Sequence, residues 1–399
     1  MATASFTRRS VRPMTGTAEE MTGPLAGVTV VELAGIGPVP FAAMILADLG
    51  ADIVRVDRVG GRPAVDPRFD TVSRSRRAIA LNLKSAQGRD IALELIGSAD
   101  VVLEGLRPGV VERLGLGPEQ CLARRPSLVY GRMTGWGQDG PYAQSAGHDL
   151  TYLAISGGLH PIGYADRPPV PPLNVVGDFG GGAMYLAVGV VSALLRARAT
   201  GVGDVIDAAI LDGVASLNAM MRGFLDQGGW VDRREANLLD GGAPFYRVYR
   251  CADGKDVAVA AIEPQFWREL LYRIGLADDP VMQDRDDREA WPAIRERLTA
   301  HFATRARDSW VELTAGSDAC LAPVLSMAES LADRHVRQRQ VFVELDGQVH
   351  PAPAPRFSRA GVRQPTPAPA VGEHTDAVLA ELGYQRRQVA DLRAAGVVG

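Results

Sequence analysis

Short β-branched runs alternate with helical stretches from Pro24 onward, and this alternation constrains the fold more than any other feature of the sequence. VTVVEL at residues 28–33 predicts a strand, PFAAMILADLG predicts a buried helix that ends at Gly50, and ADIVRVD at residues 51–57 predicts a second strand. A strand, a helix and a strand within about thirty residues form a βαβ unit with parallel strands. The alternation continues through AIALNL, DVVLEG, SLVYGRMT and DVIDAAI, so the sequence predicts an open α/β sheet.

The pattern changes near Asn237. FYRVYRC, ADGK and DVAVAAI predict a β-hairpin that turns at Asp253–Gly254, and helical segments follow as far as Trp310. Near the C-terminus, HTDAVLAELGY predicts an amphipathic helix that packs back on the first domain. The predicted parts are a disordered leader at 1–21, the first part of a large α/β domain at 22–208, a linker helix at 209–240, a small domain at 241–325, and a linker with a C-terminal return at 326–399.

Composition excludes several classes of function. The 399 residues carry a net charge of -4 and no acidic or basic block, so neither nucleic acid nor an anionic membrane surface is an expected partner. Cys121, Cys251 and Cys320 lie at neither metal-ligand nor redox-motif spacing, which predicts reduced thiols in a cytoplasmic protein and no metal site. No apolar run is expected to reach the length of a membrane span, and residues 1–21 lack the apolar core of a signal peptide.

The first βα turn, AGIGPVP, shares two glycines with a dinucleotide-binding fingerprint. Gly35 and Gly37 match its first two positions, and Asp57 closes the second strand where a ribose-binding carboxylate would lie. Arg58 would then favour a 2′-phosphate. Pro40 occupies the third glycine position, however, and proline does not allow the close packing of helix and strand that this glycine provides. The turn therefore predicts a tight connection at a sheet edge rather than an NAD(P) site.

Three stretches carry side chains suited to proton transfer. His148 in AGHDLTY is a candidate general base, since the imidazole titrates nearest to neutrality, although a lone histidine is more often structural. Asp149 follows it at the predicted start of a helix, where backbone N–H groups can face a developing oxyanion. Asp178 in NVVGDFGGG is expected to be half-buried with a raised pKa, or else to cap a helix.

Glu263 ends the second strand of the hairpin directly before Pro264. It is either a favourable charge at a helix start or a partner that orients an imidazole. The glycines Gly180–Gly182 predict that the backbone after Asp178 approaches a ligand or another chain closely. The surrounding stretch RPPVPPLNVVGDFGGG predicts a shaped loop rather than a helix or a strand.

Several longer stretches occur in one order between about Pro24 and about Phe357. They are PLAGVTVVELAGIGPVPFAAMILADLGADIVRVDR, LNLKS, LRPGVVERLGLGP, YGRMTGWGQDGPY, AGHDLTY, NVVGDFGGG and AIEPQF. Together they resemble the class III CoA-transferase (CaiB/BaiF) superfamily, and within it the α-methylacyl-CoA racemases most closely. The resemblance implies an isomerase that epimerises the 2-methyl centre of branched acyl-CoA thioesters by proton transfer through an enolate.

The resemblance also implies roles for individual residues. His148 and Asp178 would transfer the proton, Glu263 would support His148, Asn174 would belong to the same site, and the Asp149 backbone would face the thioester oxygen. The residues that match the CoA-binding positions of the family are Arg58, Leu81, Asn82, Leu83, Lys84, Gly105, Leu106, Arg107, Arg113, Gly147 and Tyr152. No cofactor is implied beyond the CoA moiety of the substrate, and no metal.

The family fold is an interlocked homodimer. A large Rossmann-like α/β domain built from both chain ends accompanies a small α+β domain, and the site lies between the large domain of one subunit and the small domain of the other. Three alternatives remain open: a class III CoA transferase with Asp178 as nucleophile, a CoA-binding protein without catalysis, and an NAD(P)-dependent oxidoreductase. The natural acyl chain stays open among branched fatty acyl, steroid side-chain and arylpropionyl groups.

Overall fold

The computed structural model describes residues 22–399, so the leader predicted at residues 1–21 lies outside the described residues. The first part of the described chain forms β1 Thr29–Leu33, α1 Pro38–Asp48, β2 Asp52–Arg58, β3 Arg76–Leu81, α2 Ala86–Ser98, β4 Val101–Glu104, α3 Val110–Arg113, α4 Pro118–Arg124, β5 Val129–Thr134, α5 Asp149–Ile155, a π-helix at Val175–Ala183, α6 Met184–Thr200, β6 Asp204–Ala209 and α7 Ile210–Leu217. The remainder forms α8 Ala219–Asp226, β7 Tyr246–Arg250, β8 Asp256–Ala260, α9 Pro264–Ile274, α10 Trp291–Phe302, α11 Arg307–Thr314, β9 Leu321–Pro323, α12 Met327–Ser330, α13 Arg334–Gln338, β10 Phe342–Leu345, β11 Gln348–Pro351, α14 Thr375–Glu381 and α15 Arg386–Ala394.

These elements belong to two compact units. The first unit contains the described residues up to Tyr152 together with Asn174–Ser216 and Gln340–Gly399, and the second contains Leu153–Leu173 and Leu217–Arg339. The first unit is therefore built from both ends of the chain. Leu153–Leu173, which the sequence placed in the large domain, groups with the second unit, and the chain leaves the first unit along α5.

A six-stranded sheet organises the first unit. Its strand order is β3-β2-β1-β4-β5-β6, and every neighbouring pair is parallel. β1, β2 and β3 are buried almost without interruption, as expected of Val- and Ile-rich parallel strands that are covered on both faces. The open α/β sheet predicted from the sequence is confirmed. The direction of strand succession reverses between β1 and β4, and ligands of such sheets bind beside that switch point.

The C-terminal return to the sheet is confirmed and extends further than predicted. At the start of α14 the His374 N–H donates to the Ala78 carbonyl at 2.8 Å, and the last residues bridge to the sheet where Val398 pairs with Leu81. α15 adds Val389 and Leu392 to the core of the unit. The predicted linker also contains a two-stranded antiparallel hairpin, β10–β11, which the sequence analysis did not identify.

In the second unit, α9, α10 and α11 share one core with a small antiparallel sheet. β7 and β8 form the predicted hairpin, and β9, which was not predicted, adds a third strand beside β8. Its core is aromatic: Trp310 is fully buried, and its indole N–H donates to the Phe302 carbonyl at 3.0 Å. The Leu153–Leu173 segment is held within the unit by Arg234, whose guanidinium donates to the carbonyls of Tyr164, His160 and Arg167.

The prediction of a loop before α6 is wrong for Val175–Ala183. These residues form a π-helix that continues directly into α6. A Cβ on Gly181 would lie 2.9 Å from the Val214 amide nitrogen, and one on Gly182 would lie 2.9 Å from Ile210 Cγ1. Gly181 and Gly182 therefore bring this backbone against α7 of the same chain.

The continuous helical stretch Val175–Thr200 corrects one further expectation. By length and composition it is apolar enough to cross a membrane, with a mean hydropathy of 1.5 in its most apolar window. A single such helix is weak evidence for insertion, because core helices of soluble proteins satisfy the same criterion. Here Leu186, Val190 and Leu194 face the interior of the first unit, where α6 packs beside β5 and β6.

Candidate functional site

The predicted CoA-binding residues follow the carboxyl ends of adjacent strands in the first unit. Arg58 ends β2 and pairs in register with Leu81 at the end of β3. Asn82, Leu83 and Lys84 continue from β3, and Gly105, Leu106 and Arg107 continue from β4. Parallel strands carry their carboxyl ends at one edge of a sheet, so these groups share that edge. Arg58, Lys84 and Arg107 are exposed there, which leaves their charges accessible to phosphate groups.

A buried carboxylate shapes the segment that follows β4. Glu104 is fully buried; it accepts the Leu106 N–H at 2.7 Å and pairs with Arg132 at 3.0 Å. These bonds fix the course of the backbone at Gly105–Arg107. Further along, Arg113 is exposed at the end of α3. The role of Glu104 was not predicted from the sequence, although a charged residue at the end of a buried strand could have indicated it.

His148 lies directly before α5, as the sequence predicted. Its backbone is held by Thr151: the His148 N–H donates to the Thr151 hydroxyl at 3.0 Å, and that hydroxyl donates to the His148 carbonyl at 2.7 Å. The residue itself is exposed. A fixed backbone with an exposed imidazole suits a base that must reach a bound substrate.

Asp178 is the fourth residue of the π-helix and faces the start of α1. A Cβ on Gly37 would lie 3.4 Å from Asp178 Oδ2, so the carboxyl group lies over the turn between β1 and α1, beside the switch point of the sheet. Gly37 has a φ of 74°, a conformation that favours glycine. The next residue, Phe179, stacks on Phe41 of α1 with ring centroids 4.2 Å apart. The helix-cap alternative for Asp178 is excluded, because Asn174 is the residue at the cap position.

The surroundings of Asp178 raise the pKa of its carboxyl group, as the sequence predicted. Burial is the largest cause, and the nearby Asp149 carboxylate raises the pKa further. A hydrogen bond from the Asn174 side chain and the proximity of His148 act in the opposite direction. The structure thus brings His148, Asn174 and Asp178 together within one unit. A carboxyl group in this setting is suited to exchange a proton with a weakly acidic carbon.

Asp149 contributes a side chain as well as a backbone to this site. Its Oδ1 accepts the Asp178 N–H at 2.6 Å, and the Gly177 N–H also bonds to the carboxylate. A Cβ on Gly177 would lie 2.2 Å from Asp149 Oδ1, which explains why glycine stands there. As the first residue of α5, Asp149 has an N–H without an acceptor inside that helix. Sequence reasoning assigned only the backbone of this residue, because nothing local indicates where its side chain points.

Tyr152 is buried behind the same site. Its ring meets Trp136 edge-on with centroids 4.7 Å apart, and it lies so close to Gly135 that a Cβ there would be 1.9 Å from the ring. Burial raises the pKa of the Tyr152 hydroxyl; Asp178 raises it further and Arg107 lowers it. Tyr152 therefore lies within electrostatic reach of both a predicted CoA-binding residue and Asp178. Gly147, also predicted to bind CoA, is covered by the Tyr152 ring, since a Cβ there would lie 2.6 Å from that ring.

Glu263 belongs to the second unit. It is exposed at the N-cap of α9 before Pro264, as the sequence predicted, and its side chain makes no capping hydrogen bond. Arg285 supports this segment: it donates to the carbonyls of Ala261 and Ile262, and its guanidinium lies 4.0 Å from the centroid of the Phe245 ring. This positively charged neighbour of Glu263 was not identified from the sequence.

The geometry disfavours a dinucleotide site at the first βα turn. Asp57 is buried and bonds to Arg55 at 2.7 Å, and it accepts the Gly372 N–H at 3.3 Å. The carboxylate that would bind a ribose is therefore already occupied. Pro40 lies buried inside α1. Among residues 22–399, no group of three or more His, Cys, Asp or Glu side chains is arranged to hold a metal ion.

The chain matches known proteins along nearly all of its length. The family model described as CoA-transferase family III matches residues 25–375. The α-methylacyl-CoA racemase of Mus musculus is 41% identical over 377 residues, which cover 94% of this chain and 97% of the mouse protein. The Homo sapiens racemase is 40% identical over 384 residues, with coverage of 94% and 97%. The crystal structure of a CAIB/BAIF family protein from Brucella suis superposes with a TM-score of 0.78 at 27% identity and covers 90% of this chain and 100% of that one.

Proposed function

Because the chain belongs to CoA-transferase family III, we propose that it is an α-methylacyl-CoA racemase of that family. It epimerises the 2-methyl centre of branched acyl-CoA thioesters, as the mouse and human relatives are named for doing. The observation that carries the proposal is the 2.6 Å hydrogen bond from the Asp178 N–H to Asp149, which brings the segment carrying His148 to Asp178, a half-buried residue whose carboxyl pKa is raised by burial. Inversion needs a base on one face of the carbon and a proton donor on the other.

In the proposed reaction, one of these two groups removes the α-proton and the other delivers a proton to the opposite face. Removal of the proton gives an enolate whose negative charge lies largely on the oxygen. The Asp149 N–H at the start of α5 stabilises that charge. The CoA moiety lies along the carboxyl edge of the sheet, held by the exposed cations Arg58, Lys84 and Arg107. No cofactor beyond CoA takes part. In the dimer proposed below, Glu263 of one subunit orients the imidazole of His148 in the other, and Arg285 holds the backbone of the Glu263 segment.

A class III CoA transferase is the second candidate, since the family takes its name from that activity. In that reaction the Asp178 carboxylate attacks the thioester carbonyl, the C–S bond breaks and releases the CoA thiolate, and an acyl anhydride forms. A transferase needs the aspartate but has no use for His148 and Glu263 as a proton-transfer pair. The presence of all three residues therefore favours the racemase, as does the identity to the mouse and human enzymes.

Deuterium exchange tests the proposal. We expect a 2-methylacyl-CoA, incubated with the protein in D₂O without any acceptor acid, to gain one α-deuterium and to epimerise. Mass spectrometry measures the deuterium gain, and chiral chromatography measures the epimerisation. CoA transfer to an added carboxylic acid, or trapping of an Asp178 anhydride by hydroxylamine without α-exchange, would identify the transferase instead. Binding of CoA without exchange would leave only a CoA-binding protein. Rates across branched fatty acyl, steroid side-chain and arylpropionyl thioesters identify the acyl group.

We further propose that the chain forms the interlocked homodimer of its family, with Glu263 of one subunit serving the site of the other. The outer face of α6 supports an intersubunit contact: Val188 is 62% exposed and Leu195 is 73% exposed. We expect sedimentation to give twice the chain mass, and Leu195→Asp to weaken the dimer and the exchange activity together. Tyr272→Asp, at an apolar position of α9 that is 70% exposed, is the matched control. A wild-type protein that is active as a monomer would refute the dimer.

We also propose that the protein is cytoplasmic. Cys121, Cys251 and Cys320 are all free thiols in the structure, as expected in a reducing compartment. Cell fractionation tests this placement, and recovery of the chain in a membrane or secreted fraction would contradict it.

A further inference from the structure

We infer, on the basis of the proposed function, that the Asp149 carboxylate is a positioning residue that holds the backbone of Asp178 in register with His148. Asp149 follows His148 directly in the chain, and its side chain reaches across to the π-helix. One residue thereby joins the two proton-transfer positions. This role belongs to the side chain and is separate from the oxyanion contact proposed for the Asp149 N–H.

The contacts at the π-helix support this role. A π-helix leaves the ordinary helical hydrogen-bond pattern, so its early N–H groups need other acceptors. The Asp149 carboxylate supplies the acceptor for the Asp178 N–H at 2.6 Å and also bonds to the Gly177 N–H. Gly177 is buried against it, and any side chain at that position would collide with the carboxylate. The place of the Asp178 carboxyl group therefore depends on Asp149.

The charge of Asp149 has a second consequence for Asp178. Asp149 is the carboxylate that raises the pKa of Asp178, while His148 and the Asn174 side chain lower it, and Tyr152 also lies within electrostatic reach. Raising this pKa keeps more of Asp178 in the protonated form that can donate to the substrate. The Asp149 side chain thus places the proton donor and favours its protonated state.

Two substitutions separate position from charge. Asp149→Ala removes the acceptor and the charge, and we expect kcat to fall about 10²-fold because small displacements of reacting groups cost rates of that order. KM for the acyl-CoA should stay within about twofold, since CoA binds along the sheet edge. Asp149→Asn keeps an acceptor oxygen. We expect an intermediate kcat, and we expect the pH at which Asp178-dependent proton donation is lost to move lower. Asp204→Asn, an exposed carboxylate paired with Arg196, is the matched control.

The outcomes are distinguishable from a failure of the proposed function. A wild-type protein without α-exchange contradicts the racemase itself, whatever the variants do. An active wild type with unchanged kcat in Asp149→Ala overturns the positioning role. If Asp149→Ala fails to fold, as thermal unfolding would show, the pH profile of Asp149→Asn decides. An unshifted profile, or a loss of activity shared by Asp204→Asn, overturns the inference, and a profile moved to lower pH supports it.

Discussion

Replacement of His148 by alanine is expected to stop epimerisation while one substrate epimer continues to exchange its α-proton. The variant lacks the imidazole, so the epimer whose C–H bond faces His148 loses its base, and its exchange should fall about 10²–10⁴-fold. The other epimer still presents its C–H bond to Asp178. The ionised carboxylate can remove that proton and return a deuteron to the same face, which gives exchange without inversion.

The measurement follows both events from each epimer of a 2-methylacyl-CoA in D₂O. His335→Ala is the matched control, since His335 is exposed on α13 of the second unit. CoA affinity should be nearly unchanged in both variants, because the predicted phosphate-binding cations lie on other segments. Equal exchange of both epimers at the wild-type rate in His148→Ala would show that the base is assigned wrongly.

The fold of the first unit was predictable because its signal is local and repeated. The strands of the sheet are short and largely apolar, and the turns after β1, β2, β4 and β5 contain glycine or proline. The alternation of such strands with helices was therefore enough to predict a parallel sheet. The order of the strands was not predictable in this way. It depends on which crossovers return to which neighbour, and this information lies in tertiary packing.

The hairpin β10–β11 was not predicted, although the sequence contains a turn motif that indicates it. Asp346–Gly347 lies between the strands Phe342–Leu345 and Gln348–Pro351, and the two turn residues have positive φ values of 49° and 74°. Asp-Gly between two short strands is the usual sequence of such a turn. The proline-rich stretch beyond Pro351 drew the interpretation toward a linker instead.

The site was predictable in its residue types and not in its geometry. His148, Asp178 and Glu263 were identified because these side chains exchange or support protons. The π-helix at Val175–Ala183 could not be predicted, since it forms where Gly181 packs against α7 and where Asp149 accepts N–H groups. Both contacts join residues distant in sequence, and the Gly-rich composition by itself indicates only flexibility.

Replacement of Asp178 by asparagine is expected to give the complementary kinetic result. Asparagine keeps the shape of the side chain but neither removes nor delivers a proton at neutral pH, so inversion should fall about 10²–10⁴-fold. Exchange should survive only for the epimer whose C–H bond faces His148. An anhydride can no longer form in this variant, so any CoA-transfer activity should also vanish.

The same substitution is expected to stabilise the protein at neutral pH while it removes the activity. Burial raises the pKa of the Asp178 carboxyl in the folded protein, with Asp149 adding to the rise. A carboxyl with a raised folded-state pKa stabilises the fold below its unfolded pKa, and that contribution is lost as the pH rises through the folded value. Asparagine does not ionise. The free energy of unfolding of Asp178→Asn should therefore equal that of the wild type in acid and exceed it as the pH rises. Urea unfolding at several pH values measures this difference.

The control is Asp376→Asn, which replaces an exposed carboxylate paired with Arg393 and should show no such trend. Loss of activity together with loss of stability in Asp178→Asn would mean that the carboxyl group supports the fold instead of proton transfer.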